Sequence, residues 1–573
     1  MRRLNLLGLV VFCALLALPL PIAVAQGGRG VATATATTGN VSPVPAAERE
    51  AANRITAEHM KEYLYFIASD EMAGRDTPSP GLDATAKFIA DKLAALKLKP
   101  MGDKNSYFQH IALNRTEINR EKTSAEWDGQ TFKVGEDFVP TGNNSGEATG
   151  QLVYVGHGWV NKTTNINAYE GLDVKDKFMV VAGSTTATPP GLDMKELKAG
   201  EWENPASYGQ KHGAKGIIFI PRNYERVWRF AARAVARTSY QVARLGLGAD
   251  ADAEEAGESS AAKLLMIMPS EKMLNALFAG EQLDGAALLK AALAGQPGKG
   301  FALAPSKRLR LSLQIKSTSA STQNVVAVLE GRDSKLKHEY VAYGAHYDHV
   351  GANGGGCRPV GNDSICNGAD DDGSGTTALL TMAEAFARGP RPKRSILFVW
   401  HAGEEKGLWG SEYFTNYPTV PLKEIVAQLN IDMIGRSKKD GDTNPRNKML
   451  TGPEEIYVIG SRMMSTQLAD LSEHVNRSYL SLNYNFHYDE PGDTERLFYR
   501  SDHFNYARKG IPIIFFFDGV HEDYHQPTDS PDKIDYQKME KVARTVFILG
   551  TELANAPSRP TVDKQIPAEQ LMQ

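Results

Sequence analysis

The sequence predicts an α/β fold in which a mixed, mostly parallel sheet lies between helices and a small, β-rich domain is inserted into the chain. Between Arg308 and Asn555, apolar runs of strand length alternate with helical segments, which is typical of strands joined by helical crossovers. These runs lack an alternation of polar and apolar residues, as expected for strands buried on both faces. From about 146 to 305 the chain changes to short β-rich runs, and this change predicts the inserted domain.

Length, composition and charge narrow the class of protein. The chain has 573 residues, of which 42% are hydrophobic and 23% charged, a balance typical of globular rather than disordered proteins. It is too long for a single ordinary core, so more than one domain is expected. With 64 basic against 68 acidic residues there is no basic field, and nucleic acid is not expected as a partner. The sequence leaves the oligomeric state open.

The first 25 residues predict an export signal. Two arginines precede an apolar run over residues 4–20, and residues 23–25 (AVA) have the small-x-small pattern of a cleavage site. A retained membrane anchor is the alternative. No later apolar run is long enough to span a bilayer, so we expect no stable membrane insertion after signal removal. The protein is therefore expected to be exported, and to be either periplasmic or secreted.

Changes in composition along the chain predict the remaining boundaries. A helix is predicted from Asp83 to Leu98 with Asp83 as its N-cap, and an alanine-rich stretch at about 225–262 predicts a helix or a mobile flap. The predicted segments in chain order are a signal peptide (1–25), a flexible linker (26–46), the N-terminal part of the main domain (47–145), the inserted domain (146–305), the remainder of the main domain (306–555) and a polar C-terminal tail (556–573).

Cys357 and Cys366 are the cysteines that remain after removal of the predicted signal peptide. They lie nine positions apart in a glycine-rich loop, and in an oxidising compartment they could close a disulfide. Two free thiols are the alternative. Nothing else in that loop completes a zinc site around them.

Acidic and histidine side chains gather where four predicted strands of the main domain end. Open α/β sheets bind ligands outside the carboxyl ends of their strands, so we expect these side chains to share one edge of the sheet. They are His346 and Asp348 after the strand ending at Ala345, His401, Glu404 and Glu405 after the strand ending at Trp400, Asp432 at the end of the strand from Ile425, and His525 after the strand ending at Phe517.

A loop with three adjacent carboxylates, Asp370 to Asp372, precedes a helix predicted at Thr376–Arg388. One of the three could cap the helix, but a cap needs one carboxylate only. A bound cation would relieve the repulsion among all three. The loop therefore favours a metal site, and we expect Asp371 to be the ligand while Asp370 and Asp372 stabilise the turn.

A site that combines carboxylates and imidazoles from these segments has the charge of a two-metal centre. Three carboxylates, two neutral imidazoles, two zinc ions and one hydroxide sum to zero, and one carboxylate must bridge the ions. Mixed nitrogen and oxygen ligands suit Zn²⁺, with Mn²⁺ or Co²⁺ as substitutes. The chemistry of such a pair is metal-assisted hydrolysis. The residues of this predicted site are His346, Asp371, Glu405, Asp432 and His525.

Five segments in order resemble the co-catalytic zinc peptidase family of bacterial leucyl aminopeptidases, glutamate carboxypeptidases and the transferrin-receptor ectodomain. The resemblance is specific over about 310–555 and weaker over about 55–145. It implies a zinc exopeptidase fold for the main domain. The segments are Gly344-Ala345-His346-Tyr347-Asp348, Gly368 to Gly375 (GADDDGSG), Gly403-Glu404-Glu405, Asn430-Ile431-Asp432-Met433 and Tyr524-His525.

The resemblance also implies a role for each of these residues. Asp371 would bridge two zinc ions, with His346 and Asp432 completing one site and Glu405 and His525 the other. Three further residues would serve the reaction. They are Glu404 as the general base, Asp348 as the carboxylate that orients His346, and Tyr524 as a phenol that donates to the oxyanion.

Taken together, the signal pattern and the resemblance imply an exported zinc exopeptidase that acts on peptide substrates through a bridging hydroxide, and an aminopeptidase is the favoured activity. A carboxypeptidase or dipeptidase of the same family, or a glutaminyl cyclase with a single zinc, are the enzymatic alternatives. A non-enzymatic, receptor-like binding module is the third, although its branch of the family has lost ligands that are intact here. The preferred terminal residue is left open.

The inserted region is similar to a protease-associated domain. The likeness rests on residues 171–180 (GLDVKDKFMV) and 213–219 (GAKGIIF), and the alanine-rich stretch after Pro221 departs from a minimal version of that domain. Its role is left open, with a lid over the site as one hypothesis.

Other residues near the motifs are expected to be structural. His349, His401 and His521 are interpreted as structural or pocket-wall residues, and His503 as buried and paired. Residues 75–76 (RD) are expected to pack near the site, on the weaker N-terminal resemblance.

Overall fold

The computed structural model describes residues 44–142, 144–183, 200–235, 238–245, 264–353 and 356–566. The predicted signal peptide (1–25), all but the last three residues of the predicted linker, residues 236–237 and 246–262 of the predicted flap, and residues 567–573 of the predicted tail lie outside these ranges. The predictions made for them remain predictions.

The N-terminal part of the chain contributes three helices and two strands. The third helix begins three residues earlier than predicted because Ser79, and not Asp83, is its N-cap: the Ser79 hydroxyl accepts from the Leu82 N–H at 3.1 Å, and Pro80 occupies the first helical position. Asp83 lies in the first turn. The elements are α1 (Ala46–Ala52), α2 (Ala57–Ile67), α3 (Pro80–Ala95), β1 (Lys99–Pro100) and β2 (Phe108–Ile118).

The next part of the chain forms a module of short strands and four helices. Its elements in order are β3 (Ser124–Trp127), β4 (Gln130–Lys133), β5 (Phe138–Pro140), β6 (Gly146–Gly150), β7 (Leu152–Tyr154), β8 (Val160–Asn161), β9 (Ile166–Asn167), β10 (Phe178–Ala182), β11 (Trp202–Glu203), α4 (Pro205–Lys211), β12 (Gly216–Ile220), α5 (Tyr224–Ala234), β13 (Ser239–Val242), β14 (Leu265–Pro269), α6 (Glu271–Leu277), α7 (Gly285–Leu293), β15 (Phe301–Ala302) and β16 (Leu309–Leu313).

The module is longer at both ends than the predicted 146–305. Strand β16 pairs with β3 and β6, and β5 pairs with β14, so residues from 124 to 313 share its sheets. Trp127, Phe132 and Phe138 are buried in its core. The first strands of the module are only three or four residues long, too short for a polar–apolar pattern to separate them from the main domain.

The predicted flap contains a strand of the main sheet. Helix α5 lies within the predicted helical stretch, but β13 leaves the module and pairs antiparallel with β2, placing Val242 opposite Leu113. The module is therefore joined to the main domain by this strand as well as by its two chain connections.

The main domain is completed by the C-terminal half of the chain. Its elements are β17 (Ile315–Leu329), β18 (Tyr340–His346), α8 (Gly375–Arg388), β19 (Ser395–His401), α9 (Trp409–Asn416), β20 (Ile425–Ile431), β21 (Glu455–Ile459), α10 (Ser461–Met464), α11 (Thr466–Ser478), β22 (Asn483–Asn485), α12 (His503–Ala507), β23 (Ile513–Phe517) and α13 (Tyr536–Asn555).

These strands form one mixed sheet with helices on both faces, which confirms the predicted fold class. The strand order is β13-β2-β17-β19-β18-β20-β23-β21-β22, and β1 pairs beside β17. The central strands β19, β18, β20 and β23 are parallel, whereas β17 and β21 flank them antiparallel. Alternate residues of β17 and β19 pack against α8 and α13 on one face and against α9 and α12 on the other.

Two smaller features bear on the sequence predictions. Cys357 and Cys366 form a disulfide in the loop between β18 and α8, and both are buried. Among the described residues, no helix combines the length and apolar character needed to cross a bilayer.

Candidate metal centre

The carboxyl ends of the parallel strands bring the predicted ligands to one place. His346 is the last residue of β18, and Asp432 directly follows β20. Glu405 lies in the loop after β19, and His525 in the loop after β23. Asp371 comes from the acidic loop before α8. The structure thus places all five predicted ligands around a common centre.

Asp371 lies between two groups of side chains. Its Oδ1 is 3.2 Å from His346 Nε2, and that nitrogen is 3.5 Å from Asp432 Oδ1. Its Oδ2 is 3.1 Å from His525 Nε2, which is also 3.1 Å from Glu405 Oε2. The two oxygens of one buried carboxylate therefore face two separate sets of donors, an arrangement suited to a carboxylate that bridges two cations.

His349 joins the second group, contrary to its interpretation as a structural or pocket-wall residue. Its Nδ1 is 2.8 Å from Glu405 Oε1 and 3.7 Å from Asp371 Oδ2, and the ring is fully buried. The sequence does carry a signal for it, since His349 is only three residues beyond His346 in the same loop.

The other two carboxylates of the acidic loop hold the backbone, as predicted from the turn. Asp372 accepts main-chain N–H groups of His346, Gly375 and Met433. Asp370 Oδ1 accepts the Gly435 N–H at 2.7 Å. Burial raises the pKa of Asp372 well above its usual range, and the Asp432 carboxylate adds to the rise.

Asp348 contacts both the His346 ligand and the loop of Glu404. His346 Nδ1 is 3.2 Å from the main-chain oxygen of Asp348 and 3.6 Å from its carboxylate, so the carbonyl is the nearer acceptor. The carboxylate oxygens instead accept the Glu404 N–H at 3.1 Å and the Thr77 hydroxyl at 3.0 Å. Asp348 thereby fixes the relative position of a ligand and the predicted base.

The two adjacent glutamates have opposite electrostatic environments. Burial raises the pKa of Glu404 well above its usual range; His346 opposes the rise, and the Glu405 and Asp432 carboxylates add to it. Burial also opposes ionisation of Glu405, but contacts with His349 and His525 outweigh it and lower that pKa. Glu405 is thus held as a carboxylate, whereas Glu404 retains affinity for a proton.

Contacts between imidazoles and carboxylates determine the direction of the pKa shifts of His525 and Asp371. Burial disfavours a charged His525, yet its contacts with Asp371 and Glu405 raise its pKa to about 10. Burial likewise disfavours ionised Asp371, and the contacts with His346 and His525 together bring its pKa well below the usual range. In the polypeptide alone, protonated imidazoles therefore supply the positive charge that these buried carboxylates favour.

Tyr524 lies beside the centre, stacked on the His525 ring with 3.9 Å between the ring centroids. Burial raises its pKa well above the usual range, and the carboxylates of Asp371 and Glu405 add to the rise. The phenol remains protonated at neutral pH and is available as a donor.

Three residues support the centre: Arg75 is predicted to pack near it, whereas Ser501 and Asp529 have no role assigned from the sequence. Arg75 is fully buried, and its guanidinium donates to the carbonyl oxygens of Ile67, Tyr347, Asn367 and Gly368. The other two act on single ligands. Ser501 donates to Asp432 Oδ2 at 2.6 Å, and Asp529 accepts the N–H groups of Asp370 and Asp371.

The histidines His401, His503 and His521 lie outside the two groups of ligands. His401 contacts Asp502 and the Tyr506 hydroxyl, and His503 lies 2.8 Å from the Phe498 carbonyl oxygen. His521 Nε2 is 3.3 Å from Asp370 Oδ2 behind the acidic loop. Their surroundings agree with the structural roles expected for them.

Unpartnered buried atoms indicate that the centre fits metal ions. Within the described residues, His346 Nε2, His349 Nδ1, Asp371 Oδ2, Glu405 Oε1 and His525 Nε2 are buried without a hydrogen-bond partner. Buried polar atoms are normally paired, because leaving one unpaired costs about 1–3 kcal/mol. Atoms of His349, Asp371, Glu405 and His525 converge within 4.8 Å of one another, so a cation would satisfy them together.

Comparison with known proteins shows which family and which relatives the chain resembles. Residues 324–549 match the model of peptidase family M28. A probable leucine aminopeptidase of Arthroderma benhamiae is 28% identical over 242 residues, covering 41% of this chain and 58% of that protein. A probable zinc metalloprotease of Pyrenophora tritici-repentis is 30% identical over 263 residues, again covering 41% of this chain and 58% of that protein. The aminopeptidase YwaD of Bacillus subtilis is 26% identical over 279 residues, covering 47% of this chain and 53% of that protein.

The chain thus spans less than two thirds of the length of these curated relatives.

Among solved structures, an aminopeptidase from Aneurinibacillus sp. strain AM-1 aligns with a TM-score of 0.49 and 16% identity, covering 91% of this chain and 98% of that one. A zinc aminopeptidase from Bacillus subtilis aligns with a TM-score of 0.41 and 18% identity, covering 86% and 94%.

Proposed function

We propose, from the match of residues 324–549 to the model of peptidase family M28, that the protein is a zinc-dependent aminopeptidase that removes single residues from the N-termini of peptides. The observation that carries the proposal is the position of Asp371. Its two carboxylate oxygens face His346 on one side and His525 on the other, at 3.2 and 3.1 Å. This geometry supports a pair of zinc ions per chain.

The ligand types support zinc over the harder divalent ions. Mixed imidazole and carboxylate donors suit Zn²⁺, whereas Ca²⁺ and Mg²⁺ prefer oxygen donors alone. His346, Asp432 and Asp371 would hold one ion, and Asp371, Glu405 and His525 the other. When bound, such a pair lowers the pKa of a water and neutralises negative charge on a carbonyl oxygen.

Glu404 is the residue best placed to move a proton. Its Oε2 lies 4.0 Å from His346 Nε2, and its main chain is held by Asp348. Because its pKa is raised, the carboxylate can accept a proton near neutral pH and pass it to the leaving amine. Tyr524, which stays protonated, would donate a hydrogen bond to the carbonyl oxygen as negative charge develops there.

The names of the curated relatives support aminopeptidase specificity. Proteins named probable leucine aminopeptidase and aminopeptidase are similar to this chain over 41–47% of its length. We therefore favour removal of N-terminal residues over carboxypeptidase or dipeptidase activity. A glutaminyl cyclase with one zinc is less compatible with the two facing groups of ligands around Asp371.

We also propose that the protein is exported. The N-terminal signal pattern supports this, and so does the Cys357–Cys366 disulfide, since disulfides persist in oxidising compartments. The inserted module retains its proposed likeness to a protease-associated domain. Whether it covers the site would be judged from the activity of the protein on long and short peptides.

The proposed activity is tested by digesting a defined peptide library with the zinc-loaded full chain and reading the products by mass spectrometry. Loss of single N-terminal residues is the expected result. Zinc-loaded Glu404→Gln protein is the matched control and should leave the library intact. Loss of C-terminal residues, or cyclisation of N-terminal glutamine, would contradict the proposal.

A further inference from the structure

We propose that His349 is a fourth protein ligand of the zinc ion held by Asp371, Glu405 and His525. The inference rests on the two-zinc centre proposed above and extends it to a residue outside the predicted ligand set. It also distinguishes the two ions, because one of them would then have more protein ligands than the other.

The distances around His349 fit a tetrahedral site. Zinc bonds of 2.0–2.1 Å to nitrogen and oxygen place tetrahedral ligand atoms about 3.3 Å apart. His349 Nδ1 lies 2.8 Å from Glu405 Oε1 and 3.7 Å from Asp371 Oδ2, while His525 Nε2 lies 3.1 Å from both carboxylates. These separations bracket the tetrahedral value, so the four side chains can share one ion after small movements.

The His349 ring is held firmly in this position. The His349 N–H donates to the Arg75 carbonyl oxygen at 3.1 Å, and the Gly351 N–H donates to Gly74 at 3.0 Å. The ring also lies flat against Gly368, where a Cβ would come within 2.5 Å of it. The imidazole is therefore seated against backbone and points its Nδ1 at the carboxylates without needing to change rotamer.

The polar atoms of His349 have no other use. Both ring nitrogens are buried without a hydrogen-bond partner, although Glu405 Oε1 is only 2.8 Å from Nδ1. The two atoms are close but not aligned as donor and acceptor, as expected when both aim at a common third atom. The histidines with structural roles each pair one ring nitrogen, as His503 Nε2 does with the Phe498 carbonyl oxygen, whereas neither nitrogen of His349 is paired.

The consequence is an asymmetric pair of sites. Structural zinc sites are closed by four protein ligands, whereas catalytic sites keep a position open. With His349, the ion at Glu405 and His525 would have four protein ligands, and the ion at His346 and Asp432 would have three and so the more open position for a water. Glu404, the proposed base, lies 4.0 Å from His346, on the side of the open site.

X-ray absorption of the zinc-loaded protein tests the assignment directly, because the scattering of imidazole can be counted per zinc ion. Three imidazoles for two zinc ions are expected in the wild type, and two for two in a His349→Asn variant. Two for two in the wild type would overturn the proposal, and this measurement needs no variant to fold.

Zinc affinity provides the second readout. Competition with a graded chelator should show one zinc bound at least 100-fold more weakly in His349→Asn and His349→Ala, a larger loss than the 10–100-fold typical of residues that only support a ligand. His525→Asn is the matched positive control and should lose the same zinc. If Asn restores wild-type affinity while Ala does not, His349 merely orients Glu405 by a hydrogen bond, and the ligand assignment is wrong.

The two-zinc proposal and the His349 assignment are contradicted by different results. A wild type that binds no zinc, or one ion only, contradicts the two-zinc centre and the His349 assignment with it. A wild type with two zinc ions whose affinity and imidazole count do not change in His349→Asn contradicts the His349 assignment alone.

Discussion

At the residue scale, Glu404 and Glu405 are neighbours in sequence with different environments. Glu405 Oε2 lies 3.1 Å from His525, whereas Glu404 Oε2 lies 4.0 Å from His346 and its main chain is held by Asp348. Successive residues in a loop point in different directions, so Glu405 lies against His525 and Glu404 lies on the side of His346, as the proposed ligand and base require.

Substitutions of the two glutamates should therefore have different effects on zinc content and activity. Glu404→Gln is expected to keep both zinc ions and to lose roughly 10²–10⁴ in kcat, the usual scale for a general base. Glu405→Gln, the matched control, should lose zinc and activity together. The measurements are zinc content per chain and kcat. A metal-depleted Glu404→Gln beside a metal-replete Glu405→Gln would show that the roles are reversed.

His503 should make the protein sensitive to acid. It is fully buried against Phe515, and burial lowers its pKa to about 3. The unfolded chain, with a pKa near 6.5, binds a proton below that pH while the folded chain does not, so stability is lost as pH falls below about 6.5. The expected loss from this group is about 2 kcal/mol at pH 5.

Urea unfolding at pH 7 and pH 5, with chelator present to remove any contribution of metal release, measures this loss. In His503→Phe the fall in unfolding free energy between the two pH values should be smaller than in the wild type by about 2 kcal/mol. His487→Phe, at an exposed histidine, should leave the fall unchanged. An equal fall in wild type and His503→Phe would refute the argument.

The position of a residue along the chain decides whether its place in the site could be predicted from the sequence. His346, Asp371, Glu405, Asp432 and His525 stand at strand ends or in an acidic loop, and the rule for parallel strands brings such positions together. The contribution of His349 depends on how the chain turns after Asp348, which no periodicity records. Ser501 and Asp529 act through hydrogen bonds to residues distant in the sequence and carry no distinctive pattern.

At the element scale, the segment before α3 ties together the loops of the centre. The Arg75 guanidinium donates to carbonyl oxygens of the loops after β18 and before α8. The neighbouring Asp76 forms an ion pair with Lys406 at 2.5 Å, and the Thr77 hydroxyl donates to Asp348. These contacts join parts of the chain about 270 to 330 residues apart. The weak N-terminal resemblance therefore corresponds to a structural role beneath the metal ligands.

Arg75→Lys tests this role. A lysine ammonium keeps the charge but cannot span four carbonyl oxygens, and each one left unpaired costs about 1–3 kcal/mol. We expect destabilisation of more than about 3 kcal/mol together with weaker zinc binding, measured by urea unfolding and chelator competition. Arg54→Lys, at an exposed arginine, should change stability by less than about 0.5 kcal/mol. Comparable stability of the two variants would argue against the role.

Element boundaries show where sequence patterns lose their power. The buried strands β18, β19 and β20 agree with prediction to within a residue or two, since long apolar runs leave little choice. Strand β13 was not predicted because its alternation of polar residues covers only four positions. Its partner β2 lies in the main sheet, and such a pairing across domains is decided by tertiary packing.

At the scale of the whole molecule, zinc should contribute to stability as well as to activity. The centre gathers buried carboxylates and imidazoles from five segments, and a ligand that binds only the folded state stabilises it by about 2.7 kcal/mol at 100 times its Kd. Treatment with a chelator should lower the Tm, and added zinc should restore it.

Calcium and magnesium are the matched controls for that measurement. Because they prefer oxygen donors alone, neither should restore the Tm of the chelated protein at the zinc concentration that does. A Tm that does not respond to chelator, or that all three ions restore equally, would contradict a mixed-ligand zinc centre.

The pairing of β2 with β17 has a consequence for the order of folding. Ile118 lies opposite Ile315, so the two strands that leave and re-enter the main sheet are almost 200 residues apart along the chain yet adjacent in register. Closing a flexible loop of that length costs roughly 3–4 kcal/mol more entropy than closing a three-residue turn. If the module folds first, it holds its two ends together and the pairing becomes as local as a hairpin. Pulse-labelled hydrogen exchange should then show amide protection in β10 and β12 before β17. The folded module would in that case act as a template on which the main sheet pairs β2 with β17.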